Sequence, residues 1–155
     1  ALGIIARQIV ETLRPLSQER GVAVACTVPE ADIVVAGDRD DLLRLAENLV
    51  ENGIKYGQSG KRVDVIVDID ETDPAGPQAR LSVRDYGPGI AAVHLPRLTE
   101  RFYRVESGDN RDKGGTGLGL AIVKHIVNRH RGRLTIESRP GEGACFRVTL
   151  PLLPT

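Results

Sequence analysis

The sequence predicts an α/β fold of the α+β kind, on three observations. Three long segments repeat apolar residues at helical spacing, several short ones alternate at strand spacing, and the last two strands are joined by a tight turn. With 155 residues the chain fits one domain, spanning 1–155, whose core can hold without disulfides or metals.

The first helix runs from Leu2 to Arg20, with Ile4, Ile5, Ile9, Leu13 and Leu16 in helical period and Pro15 as a kink or an end. Val22 to Val28 reads as a strand and Ile33 to Ala36 as a second, short one. Asp38 is placed to cap a helix from Arg39 to Tyr56, which Gly57 stops. From Arg62 to Asp70, Val63, Val65, Val67 and Ile69 face one way and Asp64, Asp68 and Asp70 the other, the pattern of a half-buried strand. Thr72 to Gln78 is a turn-rich loop, and Ala79 to Asp85 repeats the strand pattern before Gly87-Pro88-Gly89 ends it. The residues from there to Gly115 have little periodicity; such a stretch inside a small domain reads as a lid. A helix follows from Thr116 to His130, closed by Gly132. Arg133 to Ser138 and Cys145 to Leu150 then form a hairpin around Pro140-Gly141-Glu142-Gly143.

Lysine plus arginine (21) balances aspartate plus glutamate (21), so no overall field draws the chain to nucleic acid or to an anionic membrane. Cys26 and Cys145 lie far apart without a CxxC pair and are expected to be small buried hydrophobes in a reducing compartment rather than a disulfide. His94, His125 and His130 have no metal spacing and are expected at the surface. The basic group Arg129, His130, Arg131 and Arg133 sits where positive charge offsets a helix dipole. There is no long apolar run and no signal-peptide pattern, and the start at Ala1 suggests a piece of a longer protein.

Three features carry possible chemistry. On the helix ending at Tyr56, Asn48 and Asn52 are four apart, and Lys55 and Tyr56 extend the same stripe, opposite Leu42, Leu45, Leu49, Val50 and Ile54. A magnesium ion on triphosphate keeps most of its ligands as water and phosphate oxygen, so one neutral carbonyl such as that of Asn52 suffices, and Lys55 can neutralise phosphate charge. The alternative is a solvated face with ordinary surface asparagines. Asp85 ends a strand before Gly87-Pro88-Gly89; a carboxylate accepts from the adenine amino group and repels the guanine oxygen, although DxGxG by itself is also a plain turn. Gly114-Gly115-Thr116-Gly117-Leu118-Gly119 precedes a helix, where close backbone approach and free amides favour phosphate. No GxxxxGK[ST] occurs. Gly87-Pro88-Gly89-Ile90-Ala91-Ala92 matches a relaxed dinucleotide fingerprint, but Pro96 cuts short the crossover helix that fingerprint needs.

In this order the segments resemble the catalytic ATP-binding domain of bacterial two-component sensor histidine kinases, whose fold is shared by the gyrase, heat-shock chaperone and mismatch-repair ATPases (the GHKL group). Asn48-Leu49-Val50-Glu51-Asn52-Gly53-Ile54-Lys55-Tyr56 looks like the N box and Asp85-Tyr86-Gly87-Pro88-Gly89-Ile90 like the first glycine box. Arg101-Phe102-Tyr103-Arg104 looks like the F box and Gly115-Thr116-Gly117-Leu118-Gly119-Leu120 like the second glycine box. The run from Leu98 to Leu134 is similar to phosphate-responsive sensor kinases.

The resemblance implies a two-layer sandwich, with a mixed, mostly antiparallel sheet covered on one face by about three helices and a mobile ATP lid (the Bergerat fold). It implies ATP and Mg2+ as cofactors. Asn52 would hold the metal, Asn48 and Lys55 would reach phosphate, Tyr56 would flank the nucleotide and Asp85 would read adenine. Arg104 would approach the terminal phosphate, with Asn52 and Lys55 in the catalytic set. Gly87, Gly89, Ile90, Phe102, Gly115, Thr116, Gly117, Leu118 and Gly119 would complete the ATP site. Gly53 departs from the usual alanine and weakens the helix by about 1 kcal/mol.

No phosphoacceptor segment of the HExxxP type is present, so the implied partner is the protein's own dimerisation and phosphotransfer domain, with a response regulator acting on the full kinase. The expectations that follow are a monomeric isolated domain, a homodimeric full-length protein and a cytoplasmic position in an inner-membrane sensor. A non-kinase ATPase of the same fold, an anti-sigma serine kinase or a dead binding module are the alternatives; the F box speaks against the anti-sigma group.

Overall fold

The helix layer begins with a break. The computed structural model describes residues 1–89 and 119–153. The lid and the sequence-predicted site residues Ile90, Phe102, Arg104, Gly115, Thr116, Gly117 and Leu118 lie outside those residues.

The first helical stretch is two helices, not one: α1 (Leu2–Thr12) and α2 (Arg14–Glu19) meet at Leu13. Pro15 lies in the first turn of α2, where its missing N–H has no helical partner to lose, so it starts the second helix rather than kinking one. α1 buries Leu2, Ile5, Ala6, Ile9 and Val10, while Ile4, expected on the same face, points outward at 60% exposure.

The first strand, β1, covers Ala23–Thr27. The second expected strand, Ile33 to Ala36, is not one: only Val35 has a bridge partner, Leu152, just beyond Pro151, which cannot donate to a ladder. α3 (Arg39–Tyr56) starts as expected, with the Asp38 carboxylate accepting from the Asp41 N–H at 3.1 Å, and its C-cap is Gly57. A short 3-10 turn, Gln58–Gly60, leads to β2 (Arg62–Asp70) and β3 (Gln78–Asp85). α4 (Gly119–Arg129), β4 (Arg133–Ser138) and β5 (Ala144–Pro151) complete the described elements. After α4 the left-handed residue is Arg131 rather than Gly132, whose N–H instead bonds the Val127 carbonyl at 2.9 Å.

The strands run in the order β1-β2-β3-β5-β4, with β1 and β2 parallel and every other pair antiparallel. That is the mixed, mostly antiparallel sheet expected. α3 is the crossover that the parallel pair requires. One sheet face carries Val63, Val65, Val67, Leu81, Val83, Phe146, Val148 and Leu150, all buried in a single core with α1, α3 and α4. Ile69, expected in that set, lies at the loop end of β2 and is 39% exposed.

The other face is ionic. Arg80 grips Asp68 through two bonds of 2.8 and 2.9 Å, and Arg62–Asp64 and Arg147–Glu137 pair beside it. Both cysteines are free. Cys145 is buried, but Cys26 is only half-buried, contrary to expectation, because β1 is an edge strand. Among the described residues no helix is long and apolar enough to cross a membrane.

Candidate functional site

α3 and α4 lie antiparallel, and their ends define where a ligand can sit. At one end the Asp38 N–H donates to His130 Nε2 at 3.2 Å, while His130 Nδ1 bonds the Ile126 carbonyl at 2.8 Å. Arg129 Nη1 lies 3.2 Å from Asp41 Oδ2 without hydrogen-bond alignment. His130 is therefore no free surface residue; it ties the start of α3 to the end of α4.

Ten residues along α3, Asn48 reaches the start of α4. A methyl group on Gly119 would stand 3.2 Å from Asn48 Oδ1. Asn48 Nδ2 is used on the Arg44 carbonyl at 2.9 Å, which aims the side-chain oxygen at α4. α3 then continues past α4 for two more turns, about 12 Å at 1.5 Å per residue, and these turns carry Asn52, Lys55 and Tyr56.

The four stripe residues are half-buried, while Leu45, Leu49, Val50 and Ile54 on the core side are almost fully buried. Asn52 makes no side-chain hydrogen bond with any described residue, so its amide oxygen remains available to a ligand. Lys55 does not stand alone: its Nζ lies 2.6 Å from Glu51 Oε1, one turn earlier, in the favourable order of acid before base. The spacing of four between Glu51 and Lys55 is the sequence signal for this pair.

The end of β3 closes against the end of α3. Asp85 is 4% exposed and is the only charged side chain buried among the described residues. Its Oδ1 accepts from the Gly87 N–H at 3.0 Å, which forms the turn into the first glycine box. A Cβ on Gly57 would collide with Asp85 Cβ, and one on Gly87 would stand 2.6 Å from the Tyr56 carbonyl oxygen. The two backbones can approach only because both positions are glycine. Burying a charge is costly unless it is bonded and used, and Asp85 lies where α3, β3 and the glycine turn converge.

On the sheet's outer face Tyr86 donates to Asp64 and stacks under Arg84, 5.1 Å from the ring centre. The structure thus brings together Asn48 with Gly119, and Tyr56 and Gly57 with Asp85 and Gly87. Asn52 and Lys55 lie between those two contacts along α3. Gly89 continues the turn.

Residues 37–154 match the family model described as histidine kinase-, DNA gyrase B-, and HSP90-like ATPase. The chain is 46% identical over 114 residues to the phosphate regulon sensor protein PhoR of Pseudomonas aeruginosa, covering 74% of this chain and 25% of that protein. It superimposes on full-length ShkA, solved in complex with AMPPNP, with a TM-score of 0.82 at 27% identity, over 100% of this chain and 31% of ShkA. With the mycobacterial sensor histidine kinase MprB the TM-score is 0.78 at 30% identity, over 97% of this chain and 94% of that one. The chain spans 25% of PhoR's length and 32% of that of a second curated relative. It belongs to the histidine kinase-, DNA gyrase B- and HSP90-like ATPase family, and stands within it beside the sensor histidine kinases.

Proposed function

We propose that this chain, over residues 1–155, is the catalytic domain of a sensor histidine kinase, which binds Mg-ATP and presents its γ-phosphate to a histidine on an adjoining dimerisation domain. The observation that carries the reading is Asp85, a carboxylate buried at 4% exposure where the two glycine-lined backbones meet. A carboxylate there accepts from the adenine amino group and disfavours guanine. Asn48 and Lys55 reach the phosphates, with Glu51 holding Lys55 back until a stronger anion replaces it. Tyr56 flanks the nucleotide. Asn52, whose amide oxygen has no other partner among the described residues, supplies the protein's share of a magnesium ion. When bound, the metal neutralises phosphate charge.

Gly87, Gly89 and Gly119 allow close approach, and Ile90, Phe102, Arg104, Gly115, Thr116, Gly117 and Leu118 complete the site from outside the described residues. Catalysis on this reading is positioning and charge neutralisation, with the nucleophile supplied by the partner domain. The full protein is a homodimeric inner-membrane sensor with this domain in the cytoplasm, phosphate-responsive like PhoR and acting on a response regulator. The histidine-kinase relatives favour it over a serine kinase or a gyrase-like ATPase.

The test is transfer of label from γ-labelled ATP, with magnesium, to the isolated dimerisation domain of a relative such as PhoR. Label on the histidine is expected, and Asn52→Ala is expected to lower its rate roughly a hundredfold. Equal labelling by wild type and Asn52→Ala would contradict the assignment.

A further inference from the structure

The β4–β5 turn read from the sequence as a plain connector, yet it meets the first glycine box at three points. Its Gly141 N–H donates to the Pro88 carbonyl at 2.6 Å. A Cβ on Gly89 would collide with the Arg139 carbonyl. Gly143, at φ +80°, lies so close beneath β3 that a Cβ there would collide with the Asp85 carbonyl oxygen and stand 2.9 Å from Tyr86 Cα. The turn is itself braced: Ser138 Oγ donates to the Gly143 carbonyl at 2.9 Å, and the Glu142 N–H bonds the Arg139 carbonyl at 3.0 Å. A turn serving only to join β4 and β5 needs none of the three contacts.

We propose that Gly143 is a positioning residue for base recognition: it sets the place of the Asp85 backbone from below and so fixes where the carboxylate meets the base. This rests on the reading of Asp85 as the adenine reader. Gly143 touches no nucleotide itself.

Gly141 provides the control within the same turn. It has nearly the same left-handed backbone, φ +83°, but a Cβ there meets nothing within 4 Å. Alanine at either position carries similar backbone strain, and only Gly143→Ala pushes on Asp85.

The experiment titrates the wild-type chain, Gly141→Ala, Gly143→Ala and Asp85→Asn with Mg-ATP and with Mg-GTP, and follows thermal unfolding of each. Both glycine variants should lose stability to the left-handed backbone, Gly143→Ala more because its Cβ also meets the Asp85 and Tyr86 backbone. Gly141→Ala should keep its ATP affinity within about threefold, whereas Gly143→Ala should lose roughly tenfold and with it the preference for ATP over GTP. Equal affinities and equal ATP-to-GTP ratios in the two glycine variants, with Asp85→Asn still losing the preference, would overturn the positioning role alone. An unchanged ratio in Asp85→Asn would instead remove the base-reading on which it rests. If Gly143→Ala does not fold, Ser138→Ala decides: loss of its bond to the Gly143 carbonyl should reduce the ATP-to-GTP ratio about threefold, and an unchanged ratio overturns the proposal.

Discussion

At the scale of single residues the site is built from polar groups whose partners leave one function open. Asn48 spends its amide N–H on Arg44 and keeps its oxygen toward α4, while Asn52 spends nothing on the described protein. Lys55 is already paired with Glu51, so on the proposed reading a phosphate contact would replace one ion pair with another. Lys55→Ala should therefore weaken ATP about tenfold, ADP less and adenosine not at all, which competition binding across the three ligands checks. A loss equal for all three would mean that Lys55 meets the base or only supports the helix. Burial pushes the thiols of Cys26 and Cys145 up from the ordinary cysteine range. Both should label slowly with an alkylating reagent near neutral pH and rapidly once the chain is unfolded, since only the thiolate reacts; fast native labelling of Cys145 would show that the β3–β5 region opens. The asparagine stripe and Asp85 were legible from spacing and strand-end position. The Glu51 pair and the His130 link were not read, the first because its neighbours looked like a solvated face, the second because it joins residues far apart in sequence.

At the scale of elements α3 carries both the fold and the site. Its capping residue, its glycine stop and its apolar stripe were all readable, because each is a local signal. Asp38→Ala should lower stability by about 1 kcal/mol, seen as a lower unfolding midpoint with the nucleotide affinity of the folded fraction unchanged. Gly53 faces Val63 and Val83, where an added methyl would stand 3.1 Å from Val83 Cγ1. The gain in helix propensity, about 1 kcal/mol, exceeds the cost of moving one valine methyl by a few tenths of an ångström, so Gly53→Ala should raise the midpoint modestly; a lower midpoint would show that β3 cannot give way. The kink or end expected at Pro15 falls instead at Leu13, because Pro15 is tolerated in the first turn of α2 and the apolar period continues through the junction. The short Val35 bridge was overread because four apolar residues look like a strand whether or not a neighbouring edge is free to pair.

At the scale of the whole molecule the order β1-β2-β3-β5-β4 puts β3 at the centre of the sheet and its end beneath α3, which is why a buried carboxylate can sit there. The sheet's handed-out faces, apolar toward the helices and ionic away from them, were legible from alternation. The pairing order was not, because register joins segments whose contact depends on the fold. Bound nucleotide should stabilise the whole domain: at a hundred times its dissociation constant, about 2.7 kcal/mol. The central claim, that Asp85 makes this an adenine-selective site, is tested most directly by calorimetric titration of Mg-ATP and Mg-GTP into wild type and Asp85→Asn. Asparagine can still accept the Gly87 N–H, so the turn is retained, but its amide can also donate to the guanine oxygen. The account predicts that wild type prefers ATP, and that Asp85→Asn binds it roughly ten- to a hundredfold more weakly with the preference over GTP largely gone. Wild-type and variant titrations that coincide, with the same ATP-to-GTP ratio, would contradict it.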